Sequence, residues 1–465
     1  MSLIDALLLG AILGVCGGWI LGRPSARRFL ILTPFALFAL VAVQLAIEGF
    51  YWQFLPAYVL VLATTLLAVR HRTASANASR VARTFGRISL VTIMLAAVAA
   101  WIFLPAPQLT KPGGRYSVGT EIYRWIDASR SEEATASPVD KRNVIVQAWY
   151  PVSPNARGAH SIYMDGLSKL PSYVSLIPGF VLRRYDRIDT GGVLGAAIST
   201  DRSKWPVVVF SPGYGAPRAF YTSLVTGLAS KGFVVLAIDH PYEAAVTELA
   251  DGRIATTVEK FSNSDPDRRM FMTEHLDLRA ADVTFVLDQL SRPGVLGRSL
   301  YDHLELERIA AIGHSFGGAT AAVAMDRDTR IKAAANIDGS LYGSISAKRL
   351  RRPFLLLESD HAETGHSDWY LLGNQRLLEN LGARGYRYEI RRANHFSFTD
   401  APLFLSLPAR FGLEQLIGGG RGPTQTHQAT SEILAAFLQE SLTGVPAAVD
   451  AVAARYGNIV GGSLK

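Results

Sequence analysis

Ser315 stands at the centre of Gly313-His314-Ser315-Phe316-Gly317, an instance of G-x-S-x-G extended by Gly318. A serine hydroxyl becomes a nucleophile towards acyl carbon when a sharp turn projects it beside a base. Flanking glycines suit such a turn, because the nearby backbone leaves no room for side chains. The N–H of the next residue, Phe316, can then face the oxygen that gains charge as a carbonyl is attacked. The pattern alone also fits an ordinary glycine-rich turn, so the surrounding elements have to decide.

A serine nucleophile of this kind takes its partners in the chain order Ser, then Asp or Glu, then His. Four histidines follow Ser315, at 361, 366, 395 and 427. His395 comes directly after the last expected strand, where a base can reach back to the serine. His361 and His366 share one polar loop and are read as lining a pocket, and His427 as a surface residue before the last helix. His240 precedes the serine and so has the wrong order for the base; it is read as a structural or pocket-lining residue. For the acid, Asp338 ends the strand after the nucleophile helix and Asp360 ends the next strand. Order alone leaves these two equal.

The second oxyanion donor is sought after residues 206–210 (PVVVF), a continuous apolar run of the kind found in the middle of a parallel sheet. It leads into Ser211-Pro212-Gly213-Tyr214-Gly215, and the backbone N–H of Tyr214 is the nominated donor. Residues 309–312 form the strand before Ser315, and an alanine-rich helix follows it. Further strands are expected at 120–126, 143–150, 233–238, 331–337, 353–357 and 386–391, and helices at 221–231, 275–290 and 430–442. Alternating strands and helices imply a mostly parallel sheet wound on both faces. Residues 160–198 have no clean period and are read as an insertion shaping the substrate pocket, with a surface helix pair as the alternative.

Before these elements the chain has a different character. Hydrophobic residues make up 49% of the 465-residue sequence, high for a chain wholly in water. Apolar segments lie at 3–21, 29–47, 55–69 and 88–104, each approaching the ~20 residues that cross a bilayer. Residues 1–104 hold eight arginines, no lysine and two acids, leaving 39 basic against 37 acidic residues for the rest. The net charge of +8 therefore belongs mainly to the N-terminal region, and a nucleic-acid partner for the larger part is not expected. Arginines cluster around 22–28 and 70–87, while 48–54 has no basic residue; the positive-inside rule puts the two clusters in the cytoplasm. Four crossings of the cell membrane would leave everything after residue 104 on the extracytoplasmic side. The single cysteine, Cys16, excludes an intrachain disulfide and a thiolate metal cluster.

From residue 116 to about 442 the sequence resembles the platelet-activating-factor acetylhydrolase family, the lipoprotein-associated phospholipases among the α/β-hydrolases. The resemblance rests on VVVFSPGYG from Val207, LASKGFVV from Leu228, GHSFGGAT from Gly313, Asn336-Ile337-Asp338 and His395-Phe396-Ser397-Phe398. It implies an α/β-hydrolase fold, an acid at Asp338, and oxyanion N–H groups at Tyr214 and Phe316. It also implies small or phospholipid-like ester substrates and no metal or organic cofactor. Two features depart from the familiar pattern: Pro212, where histidine is usual, and the multi-pass anchor. The expected organisation is a four-helix transmembrane region at 1–104, a linker at 105–115, a catalytic domain at 116–445 and a tail at 446–465. Two rival readings are a general carboxylesterase or polyester hydrolase without lipid preference, and a catalytically silent membrane-anchored sensor or scaffold.

Overall fold

Long apolar runs become helices in the first part of the chain and short apolar runs become strands in the second. The computed structural model describes residues 3–21, 27–73, 80–103, 107–169, 188–258, 267–405 and 420–464. The chain divides into two units, one built on Met1–Pro107 and one on Gln108–Leu403 with Leu413–Lys465.

The first unit contains α1 (Leu3–Leu21), α2 (Arg27–Ile47), α3 (Leu55–Thr73) and α4 (Arg80–Phe103). Three stretches are long and apolar enough to cross a membrane: Leu3–Leu21, Trp52–Val69 and Thr84–Ile102. This corrects the expectation of four. Helix α2 forms with Pro34 inside it, and among the described residues it contributes the shorter apolar stretch Ala36–Ile47. The polar intruders pair with each other: Gln44 Nε2 donates to Asp5 Oδ1 (3.3 Å) and Tyr58 Oη donates to Gln44 Oε1 (2.8 Å). The arginine-bearing residues 22–26 and the 74–79 connection lie outside the described residues. So do 170–187 of the segment expected to shape the pocket.

The second unit is organised on one sheet. Its strands are β1 (Ser117–Ser131), β2 (Lys141–Val152), β3 (Gly192–Leu194), β4 (Trp205–Ser211), β5 (Val234–Asp239), β6 (Leu304–His314), β7 (Ile331–Ile337), β8 (Phe354–Ser359), β9 (Gly385–Ile390) and β10 (Ile459–Leu464). Their spatial order is β10-β9-β8-β7-β6-β4-β5-β2-β1-β3. The run from β5 through β4, β6, β7 and β8 to β9 is parallel. Antiparallel pairs join β5 to β2, β2 to β1 and β9 to β10. Residues 446–465, expected as a tail, carry helix α10 (Val449–Ala454) and the edge strand β10.

Helices cover both faces. On one side α6 (Arg268–Leu290) and α7 (Phe316–Arg327) pack through Leu276, Val283, Ala319 and Val323 onto Val207, Val209 and Ile309. On the other, α5 (Thr222–Ala229) and α9 (Pro423–Thr443) pack through Leu224, Leu228, Ile433 and Phe437 onto Val208, Phe210 and Ile312. Successive strand residues point to opposite faces, so a continuous apolar run is what a strand covered on both sides requires. A buried valine or phenylalanine of this kind stabilises the fold by roughly 1.5–3 kcal/mol. The strands β4, β6, β7, β8 and β9 run in one direction, so the loops after them gather along one sheet edge, where sites in open α/β sheets form.

Candidate active site

Ser315 joins β6 to α7 with φ 55° and ψ −124°, a conformation that costs a non-glycine residue about 1–3 kcal/mol. The fold holds it there. Ser315 N donates to Ile337 O (2.8 Å), and Gly318 N donates to Ser315 O (2.9 Å). Side chains on the flanking glycines are excluded: a Cβ on Gly317 would collide with the Ser211 carbonyl, and one on Gly313 with the Gly317 carbonyl. The small face of α7 thus lets the helix approach the end of β4 closely enough to turn Ser315 outward.

His395 begins a short 3-10 turn, His395–Phe398, after β9. Asn394 caps that turn by accepting from Phe396 N (3.0 Å), while Ser397 Oγ accepts from Asn394 N (2.9 Å). The imidazole bridges two groups. Its Nδ1 lies 2.7 Å from Asp338 Oδ2 and its Nε2 3.0 Å from Ser315 Oγ. With Nδ1–H donating to the carboxylate, Nε2 is free to accept from the serine hydroxyl.

Asp338 follows β7 with φ 55° and is fully buried. Ser359 N and Ser359 Oγ each donate to it at 2.8 Å, and His366 Nε2 reaches Oδ1 at 3.0 Å. Burial pushes this carboxyl up. The hydrogen bonds from His366 and His395 outweigh it and hold the group well below the usual carboxylate range. The site therefore keeps a buried anion against the imidazole.

Chain order left Asp338 and Asp360 as equals and the family resemblance pointed to Asp338; in the structure the two carboxylates have different partners. Asp360 caps the short helix His361–Thr364, accepting from Ala362 N (2.9 Å) and from Arg392 N (2.8 Å), with Arg391 Nη1 at 3.5 Å. Its carboxylate is thus used up by the backbone. His361 stands near Glu358 (3.4 Å). His427, expected at the surface, is buried: Thr110 Oγ1 lies 2.9 Å from Nδ1, and Thr399 O 2.9 Å from Nε2. Tertiary packing of the helix start against two distant segments overrides its polar local sequence. His240, read as structural or pocket-lining, is buried, with Nδ1 2.8 Å from Asp282 Oδ2.

The loop Ser211-Pro212-Gly213-Tyr214-Gly215 runs past the serine, close enough that a Cβ on Gly213 would sit 3.3 Å from Ser315 Cβ. The Tyr214 and Phe316 rings meet edge-on at 6.2 Å. A chain of hydrogen bonds links this loop to His395. Gly213 N donates to Tyr221 Oη (3.0 Å), which lies 2.8 Å from His314 Nδ1, and His314 Nε2 lies 2.9 Å from His395 O. Since Tyr221 Oη accepts from Gly213, its own hydrogen is available to His314 Nδ1, and His314 donates from Nε2 to the His395 carbonyl. Burial, and then the neighbouring His395, push the His314 imidazole down to about 3, so it stays neutral. His366 was read only as pocket-lining, and Tyr221 was not singled out. The polar loop after β8 was the one available signal for His366; Tyr221 gave none.

His314, Asp338 and His395 are also residues whose ligand atoms come within 4.8 Å of one another. Both His314 nitrogens are already bonded, and His395 is shared between Ser315 and Asp338, so the set suits proton transfer better than an ion.

Residues 107–442 match the family described as platelet-activating factor acetylhydrolase, isoform II. A protein of Arthroderma benhamiae named "Probable 1-alkyl-2-acetylglycerophosphocholine esterase" is 26% identical over 351 residues, covering 70% of this chain and 85% of that protein. The platelet-activating factor acetylhydrolase of Canis lupus familiaris is 30% identical over 220 residues, 43% of this chain and 49% of that protein. Among solved structures, a ferulic acid esterase from Streptomyces cinnamoneus superimposes with a TM-score of 0.64 at 29% identity, over 77% of this chain and 99% of that one. The shared architecture is the α/β-hydrolase fold.

Proposed function

The chain belongs to the platelet-activating factor acetylhydrolase, isoform II, family of carboxylic ester hydrolases, and from that premise we propose that Ser315, His395 and Asp338 form its catalytic triad. The reading is carried by one observation: Ser315 Oγ, His395 and Asp338 lie in a continuous hydrogen-bonded line of 3.0 and 2.7 Å.

As Ser315 Oγ attacks the ester carbonyl, His395 Nε2 takes its proton and the carbonyl π pair moves onto oxygen. The N–H groups of Tyr214 and Phe316 hold that oxyanion; Phe316 is the first residue of α7, where the N–H has no partner within the helix. His395 then returns the proton to the departing alkoxide, leaving an acyl-serine and a free alcohol. Water, deprotonated by His395, releases the acid by the same steps. Asp338 fixes the imidazole tautomer and stabilises the imidazolium.

The substrates proposed are glycerophospholipid-like esters with short acyl chains, on the strength of the fungal and canine relatives' names. The Streptomyces esterase favours a second reading, hydrolysis of aryl or small esters without lipid preference. Turnover by the full chain in detergent should be compared across p-nitrophenyl esters of increasing acyl length, feruloyl esters, and choline glycerophospholipids with acetyl or long sn-2 chains. The first reading predicts the best turnover on the acetyl glycerophospholipid and a steep fall with acyl length. Turnover confined to feruloyl and aryl esters would instead support the second.

The N-terminal helices are proposed as a membrane anchor. The α3–α4 pair, with its arginines between residues 70 and 87 on the cytoplasmic side, delivers the catalytic unit to the extracytoplasmic side.

A further inference from the structure

Helix α6 carries Phe271, His275 and Arg279 at intervals of four, so all three lie on one helical face. That face meets the loop after β4. The Tyr214 ring packs edge-on against Phe271 at 5.8 Å and against His275 at 6.3 Å. One turn further along, the buried Arg279 donates from Nη1 to Pro212 O at 2.6 Å and from Nε to Glu243 Oε2 at 2.7 Å. Its guanidinium carbon also lies 4.7 Å from the centroid of the Phe316 ring. A single side chain therefore touches the backbone carbonyl two residues before Tyr214 and the ring of Phe316, the two residues that carry the proposed oxyanion donors.

The loop needs holding. Gly213 and Gly215 flank Tyr214, Gly215 takes φ +80°, and glycine visits such conformations as readily as others. Pro212 has no N–H with which to anchor itself. The loop is tied down at both ends instead: Arg279 binds the Pro212 carbonyl, and Ala245 N donates to Gly215 O (3.1 Å). Glu243 lies two residues before Ala245, so the segment that fixes Gly215 by its backbone fixes Arg279 by its side chain. The other oxygen of Glu243 lies 3.2 Å from His275 Nδ1. Burial pushes the Glu243 carboxyl up, but Arg279 and His275 more than offset it and bring it down to about 2, so the pair stays charged.

We propose that Arg279, anchored by Glu243, is a positioning residue that sets the separation of the Tyr214 and Phe316 N–H groups and so pre-organises the oxyanion hole. This rests on the reading of Tyr214 and Phe316 as the donors. Stabilisation of a developing oxyanion depends on donors that do not have to reorganise as charge appears. Loss of the clamp should therefore weaken transition-state binding while leaving substrate binding nearly intact.

The test compares full-length wild type, Arg279→Lys and the double variant Arg279→Met/Glu243→Gln in detergent. Lysine keeps the charge and the pairing with Glu243, but its one ammonium cannot reproduce the planar fork that also reaches Pro212. The double variant removes both buried charges, so neither is left unpaired. Thermal unfolding, kcat and KM on a short-chain p-nitrophenyl ester, and inhibition by a trifluoromethyl ketone, which forms an oxyanion on serine, are measured for each. The expected result is a fall in kcat of about 10–100-fold with KM within about threefold of wild type. The ketone Ki should rise in step with the loss of kcat/KM. A merely structural role would lower Tm and the active fraction and leave the ketone Ki of that fraction unchanged; that result overturns the proposal. Wild-type kcat in folded Arg279→Lys overturns it too, and leaves the triad standing. Should the double variant fail to fold, Arg279→Lys decides with the same two outcomes. If the wild type itself neither turns over ester nor reacts with the ketone, the hydrolase reading fails and this proposal falls with it.

Discussion

Asp338 is shared by two imidazoles, with His366 Nε2 3.0 Å from Oδ1 while His395 occupies Oδ2. His366 stacks on Tyr370 with ring centroids 3.9 Å apart, so its position is fixed by packing as well as by the carboxylate. A hydrogen bond to a charged group contributes about 1.5–3 kcal/mol, and 1.4 kcal/mol is about tenfold in rate. His366→Phe, which keeps the stacking and deletes the donor, should lower kcat about tenfold or more with little change in KM. Steady-state kinetics check this; an unchanged kcat in the folded variant would show that Ser359 and His395 hold Asp338 without help from His366.

A second buried acid gives a pH signature. Asp400 accepts from Ser223 N (3.3 Å) and Tyr163 Oη (3.3 Å), yet burial dominates and pushes its carboxyl up to about 7. The folded state thus holds this proton more tightly than the unfolded chain does. The stability Asp400 contributes is complete below the unfolded value of about 4 and is lost as pH rises towards about 7, an effect on the order of 2–4 kcal/mol. Asp400→Asn removes the dependence. The difference in Tm, variant minus wild type, should be more positive at pH 8 than at pH 5, and a difference independent of pH contradicts the assignment.

The proposed topology is checked by reporter fusions. Alkaline phosphatase fused after residue 114 or after 465 should be active, and a fluorescent protein that folds only in the cytoplasm should stay dark at both sites. The reverse pattern would put the catalytic unit in the cytoplasm and overturn the positive-inside reading of α3 and α4.

What the sequence disclosed depended on how local each signal is. Ser315 was legible because an elbow needs Gly313 and Gly317 within two residues of it, and His395 because it follows the last parallel strand. The central strands were legible from unbroken apolar runs such as 206–210. Asp338 and Asp360 end neighbouring strands, and nothing along the chain says that Asp360 spends its oxygens on Ala362 N and Arg392 N. Here the family resemblance pointed to Asp338, where spacing could not choose. His427 was misread because its burial depends on Thr110 and Thr399, far away in sequence. Strand β10 was missed because Gly461 and Gly462 weaken a strand pattern, and only pairing with β9 makes them extended. The four-span expectation gave way to three on α2, which carries Pro34 and whose described apolar stretch is Ala36–Ile47. Arg279 looked like one more charge on an amphipathic helix, since its partner Pro212 O is a backbone atom that no side-chain pattern reveals.

The most direct test of the account is fluorophosphonate labelling of the full-length chain, with short-chain ester turnover measured beside it for Ser315→Ala, Asp338→Asn and Asp360→Asn. The account predicts covalent labelling of the wild type at Ser315 and none in Ser315→Ala. It predicts a loss of about 10⁴ in kcat for Asp338→Asn. Asp360→Asn should turn over ester at close to the wild-type rate. A folded wild type that does not label, or an Asp360→Asn variant as impaired as Asp338→Asn, would contradict it.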